Sequence, residues 1–177
     1  DFHELLFHVR SSTARMGEPF AAVHPHRQPE PPLERQAFPG AEPISLPPPR
    51  LETWVREDPP FARVMEDRRS AGAPGAKRPA LIQVGDFLYR GAHFQRDALR
   101  VLPGAGARHE IEFYVVVHDA EGLAPGMYHY HASSHRLHAL PAPVECVREF
   151  LWRAASVWST GRHYPHLLIV VAARFPR

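Results

Sequence analysis

Apolar positions recur along this chain with two periods, and the change from one to the other outlines its elements. At the start, Phe2, Leu5, Leu6 and Val9 follow a helical spacing that Ser11, Ser12 and Gly17 interrupt, which predicts a short docking helix. After Glu57-Asp58-Pro59-Pro60, where acids and prolines suit a helix N-terminus, Phe61, Val64, Met65 and Arg68 recur at i, i+3, i+4 and i+7 and predict a second helix ending near Arg68-Arg69-Ser70. Leu81, Val84 and Leu88, with Ile82, Gly85 and Tyr89, predict a third. The β-branched and aromatic run Glu112–Val117 then predicts the first strong strand, and Met127–His131 with Arg136–Leu140 a hairpin about Ala132-Ser133-Ser134. Val144, Val147, Leu151, Ala154 and Trp158 lie on one face of a helix that Gly161 ends, and Leu167–Ala173 is a wholly apolar strand.

Between Glu18 and Arg50 the pattern is absent. This stretch holds a large share of the 20 prolines, which remove backbone donors, so residues 1–50 are expected to form an N-terminal helix and a Pro-rich extended arm. Phe38, Ile44 and Leu46 give the arm apolar anchors with which to wrap a surface. Residues 51–177 are then one domain.

Two stretches carry candidate chemistry. Pro103-Gly104-Ala105-Gly106-Ala107 has almost no side chain, so its backbone N–H groups can approach a flat or anionic ligand, while the strand from Glu112 holds the loop in place. The same glycines could simply turn the chain into that strand. Arg68, Arg69 and Ser70 present two guanidinium forks and a hydroxyl, suited either to a phosphate or to a solvated helix end.

The composition narrows the classes. With 177 residues, 44% hydrophobic and 23% charged, the chain has the length and apolar content for one domain with a real core. A net charge of +2 without a Lys/Arg tract argues against nucleic acid, and no apolar run approaches the ~18 residues of a membrane span. The single cysteine excludes an internal disulfide, and a cytoplasmic protein is expected. Cys146 lies off the apolar face of its helix with no base nearby in sequence, which is the placement of a surface thiol. His129, His131, His135 and His138 lie about the predicted hairpin, where period two puts His129 and His131 on one face with His135 nearly opposite His131. Three imidazoles could meet a zinc ion, but no carboxylate or thiolate is near them in sequence, and no metal is expected. Tyr114 and Tyr130 read as sheet packing.

Five blocks occur in order: Glu66-Asp67-Arg68-Arg69-Ser70, Phe87-Leu88-Tyr89-Arg90, Pro103 to Tyr114, Glu121 to Tyr130, and Ala173-Arg174-Phe175-Pro176-Arg177. Together they resemble the SagB-type dehydrogenases, flavin enzymes of the nitroreductase superfamily that oxidise azolines to azoles in ribosomally made peptides. The resemblance covers roughly residues 50–177. It implies an α+β nitroreductase fold, a sheet with helices on both faces, bound to FMN and commonly dimeric. It also implies that Arg68, Arg69 and Ser70 meet the flavin phosphate and that Pro103, Gly104, Ala105 and Gly106 meet the isoalloxazine, where backbone N–H groups stabilise the charge that develops on the ring. The family continues past the motif that ends here at Arg177, into a segment carrying a Lys-Tyr pair implicated in azoline oxidation. Residues 51–177 therefore resemble the N-terminal half of a catalytic domain truncated at its C-terminus, acting on a peptide or small molecule with a second copy or a complementing chain. No residue of this chain is thereby assigned as catalytic. Two positions depart from the family pattern, Gly72 where an Arg is common and Gly104 where a Ser is common. Gly72 and the missing segment suit an alternative, a degenerate non-catalytic scaffold or interaction module in a peptide-modifying complex.

Overall fold

A computed structural model describes residues 34–35, 42–70, 75, 77–94, 101–102, 111–157 and 164–174. The expected helix at Phe2–Val9, the anchor Phe38, the Gly-Ala loop and the helix end at Gly161 lie outside these residues.

Five strands form one antiparallel sheet in the order β1-β4-β3-β2-β5, with β1 Pro43–Ser45, β2 Ile111–Val117, β3 Gly126–His131, β4 Arg136–Ala139 and β5 Leu167–Ala173. The described helices are α1 Leu51–Glu57, α2 Phe61–Asp67, α3 Leu81–Ala92 and α4 Val144–Val157. The sheet follows from β2. Because side chains of a strand alternate between faces, a run with apolar side chains on both faces needs cover on both sides. Phe113, Val115 and Val117 point to one face, where they pack with Tyr128 and Tyr130 of β3, Leu137 of β4 and Val84, Leu88 and Ala92 of α3. Val116 points to the other, against Val147 and Leu151 of α4 with Met127, Leu168 and Val170 around them. The result is an α+β sheet with a helix on each face, as the resemblance implies.

Local chemistry explains the ends of the elements. The Gln83 side chain turns back to accept from the Ala80 N–H at 2.9 Å, and the Leu81 N–H donates to the Glu121 carbonyl at 2.8 Å, so the start of α3 is tied to the turn after β2. Gly122 has φ +79, and a Cβ there would meet the Leu81 Cβ at 3.3 Å, so this close approach favours glycine. The Tyr128 hydroxyl donates to the Ala124 carbonyl at 2.8 Å and closes the turn into β3.

Two elements differ from the expectation. Pro43–Ser45 is a strand rather than irregular arm, because β4 offers a free edge and Leu46 behind it fills the core while Ile44 packs against it. Leu51–Glu57 is a helix that the sequence reading left unassigned: Leu51, Trp54 and Val55 recur at i, i+3 and i+4, none of its residues is buried, and Trp54 ties it to α3 with its ring 6.1 Å from that of Tyr89 and 4.1 Å from the Arg90 guanidinium. Helix α2 occurs where expected, yet none of its residues is buried and Phe61 is 78% exposed.

The two-faced core predicts a contrast between neighbours on α3. Leu88 is fully buried while Phe87 is more than half exposed. Leu88→Ala should lower stability by about 3 kcal/mol, and Phe87→Ala by less than about 1 kcal/mol, as read from urea unfolding midpoints.

Candidate functional site

Arg68, Arg69 and Ser70 follow α2 outside any helix or strand, and all three are exposed. Their donor set suits a phosphate monoester, since two guanidinium groups offer paired N–H donors and the hydroxyl a third kind of contact. Pro103, Gly104, Ala105 and Gly106 lie outside the described residues, so the structure brings the first group to the surface without placing the second beside it.

A cluster that the sequence reading missed sits on the α4 face of the sheet, beyond the helix. Glu112 on β2 is 2% exposed, and its carboxylate accepts from His129 Nε2 on β3 at 2.8 Å and from the Arg35 backbone N–H at 3.3 Å, and pairs with Arg174 Nε just after β5 at 3.1 Å. Arg35 Nη1 donates to the Tyr114 hydroxyl at 3.2 Å. Glu34 beside it accepts from the Ala132 and Ser133 backbone N–H groups and lies 3.3 Å from His131 Nδ1. A buried carboxylate is tolerated only when such donors replace the water it has lost. The spacing gave no warning, because Glu112 stands 17 residues from His129 and 77 from Arg35.

The histidines separate by face. His129 stands directly opposite His138 in the β3–β4 register, and the rings of His131 and His138 are 5.4 Å apart. Their Nδ1 partners differ: the Nδ1 atoms of His129 and His138 are buried without a hydrogen-bond partner, whereas His131 Nδ1 lies 3.0 Å from the Ser134 hydroxyl. His135 is not their neighbour. It occupies the hairpin turn with φ +51, and its ring lies towards α3, where Nε2 donates to the Pro47 carbonyl at 3.1 Å and Nδ1 accepts from the Tyr130 hydroxyl at 2.9 Å. The neutral Nε2–H tautomer makes both contacts. The expected grouping of His135 with His129 and His131 is thus corrected to His138, because the positive φ at the turn carries His135 to the opposite face. Among the described residues no group of three or more His, Cys, Asp or Glu side chains is placed to hold a metal ion. Cys146 is exposed. Tyr114 and Tyr130 lie in the sheet as expected, each with a hydroxyl contact besides its packing.

Burial holds the imidazole of His135 below its ordinary range, partly offset by the Pro47 carbonyl. His138 is held low by burial first, then by His131, His129 and Arg136, with Glu34 acting the other way.

No protein-family model matches the chain. In structure, 96% of it superposes with a TM-score of 0.52 and 18% identity on a crystal structure from Anabaena variabilis described as that of a nitroreductase. The chain has a nitroreductase-like fold. It spans 31% of that protein's chain. A chain of the E. coli microcin synthetase McbBCD complex with truncated pro-MccB17 bound aligns over 72% of this chain and 60% of its own, at a TM-score of 0.42 and 17% identity, too loosely to add to the fold assignment. In sequence, 80 residues are 39% identical to the trifolitoxin-processing protein TfxB of Rhizobium leguminosarum bv. trifolii, which is 44% of this chain and 21% of that protein. The chain therefore spans about a fifth of the length of this curated relative. The nitroreductase-like fold that the motifs implied is thus present, and 80 residues of the chain resemble a trifolitoxin-processing protein.

Two predictions follow from the buried groups. Glu112→Ala should cost about 3–5 kcal/mol by leaving the buried His129 and the half-buried Arg174 without their shared carboxylate, and a double-mutant cycle with His129→Ala should show a coupling of more than about 1 kcal/mol. With His135 and His138 held below the ordinary imidazole value of about 6.5, the unfolded chain takes up protons first as the pH falls, so stability is retained above that value and lost progressively below it. Melting curves between about pH 7.5 and 5 should show this loss, and His138→Gln should reduce it.

Proposed function

We propose that this chain is part of an FMN-dependent oxidoreductase of the SagB type, oxidising azolines to azoles in a ribosomally made peptide or acting on a related small substrate in the cytoplasm. The observation that carries this reading is the 39% identity to a trifolitoxin-processing protein in a chain with a nitroreductase-like fold. Bound flavin would supply the hydride acceptor. The guanidinium groups of Arg68 and Arg69 and the Ser70 hydroxyl would hold its phosphate, and they are exposed and available to do so. Backbone N–H groups of Gly104, Ala105 and Gly106, behind Pro103, would bond the isoalloxazine edge and stabilise charge there. Because the chain spans 31% of the nitroreductase and 21% of the processing protein, the remaining pocket would come from further polypeptide, in a second copy or a complementing chain. The names of the relatives support a peptide-modifying complex as the setting.

The test is a flavin titration with a melting curve on the same sample, in the complex that holds the whole domain. Arg69→Ala should weaken FMN binding by about 1.5–3 kcal/mol, tenfold or more, with the melt unchanged. Gly106→Val should abolish binding in protein that remains folded, because a β-branched side chain would occupy the space of the ring. Normal flavin uptake by both variants would overturn the assignment of these residues.

A further inference from the structure

We propose that the turn between β3 and β4 is a binding site for an acidic side chain of a peptide, and that Glu34 fills it here as a ligand built into the same chain. The Glu34 side chain is only 9% exposed. One of its carboxylate oxygens accepts from the successive backbone N–H groups of Ala132 and Ser133, and the other lies 3.3 Å from His131 Nδ1. Neighbouring N–H groups that converge on one point form an anion-binding concavity, because their dipoles add there.

The surroundings favour negative charge. Arg136 stands directly opposite His131 in the β3–β4 register, and the Ser133 and Ser134 hydroxyls lie 3.2 and 3.0 Å from His131 Nδ1. His138, whose ring is 5.4 Å from that of His131, keeps a buried Nδ1 without a hydrogen-bond partner, so the pocket holds a polar atom that Glu34 does not satisfy.

The residue after Glu34 completes the ligand. The Arg35 backbone N–H donates to the Glu112 carboxylate at 3.3 Å, and its guanidinium donates to the Tyr114 hydroxyl at 3.2 Å. Taken in order, this face of the sheet meets a carboxylate, then a backbone N–H, then a guanidinium. Each of these contacts is polar and reaches across 77 to 99 residues of sequence, so none depends on the two residues being joined to the sheet by the chain. A separate peptide with Glu or Asp followed by Arg offers the same groups. Water can replace each contact, which leaves it a modest net worth, and a tethered ligand held in this way exchanges with a free one at sufficient concentration. The inference deepens the peptide-modifying role proposed above and rests on it only for the origin of the peptide. Its test needs no flavin, so the two readings can fail separately.

The probe is a fluorescent peptide copying residues 33–37, Leu-Glu-Arg-Gln-Ala, added to the full chain. Glu34→Gln should speed amide hydrogen exchange at Ala132 and Ser133 by about tenfold or more while leaving β2 unchanged, and added peptide should slow it again. Fluorescence anisotropy should show the peptide binding to Glu34→Gln about tenfold or more tightly than to the wild type, whose own Glu34 competes. The wild type, which needs no substitution, should still take up this peptide and refuse one with Gln in place of Glu. Unchanged exchange at the turn in Glu34→Gln, equal binding of the Glu and Gln peptides, or no binding of the Glu peptide to either protein at millimolar concentration would each overturn the proposal.

Discussion

Strand β2 must be covered on both faces at once, and the rest of the described fold is arranged to meet that constraint. Its odd-numbered residues call for α3 and its even-numbered ones for α4, while β3 and β5 supply the neighbours that satisfy its backbone. Glu112 is the exception that tightens the arrangement. A carboxylate near the start of a buried strand is costly, and its donors come from β3, from the residue after β5 and from Arg35. One side chain therefore fastens three distant parts of the sequence to the sheet. The same physics that makes Glu112 expensive to bury makes its removal expensive too.

Much of this was legible in the sequence because the elements are locally consistent. The strand at 167–173, the hairpin and the helices from Phe61, Leu81 and Val144 all follow their apolar periods. What escaped detection depended on contacts far along the chain. Pro43–Ser45 becomes a strand only because β4 presents an edge, α1 is held by the stacking of Trp54, Tyr89 and Arg90, and Glu112 looks like an ordinary polar residue until His129 and Arg174 are placed around it. The hairpin histidines show the limit of period-two reasoning. It located His129 and His131 on one face, but the φ of His135 reverses the side to which that ring turns.

The nitroreductase-like fold rests on a superposition over 96% of the chain, whereas the likeness to the trifolitoxin-processing protein rests on a match over 80 residues. Of the residues that the motifs mark for flavin, Arg68, Arg69 and Ser70 are exposed at the end of a helix that buries nothing of itself. An exposed apolar helix carrying phosphate-type donors at its end is consistent with a surface completed by further polypeptide.

The most direct measurement of the central functional claim is the visible absorbance of the purified complex that contains the whole domain. The account predicts a yellow protein whose oxidised-flavin bands are released in stoichiometric amount on denaturation and identified as FMN. A colourless protein that also takes up no added FMN would contradict it and would favour a scaffold that has kept the fold without the cofactor.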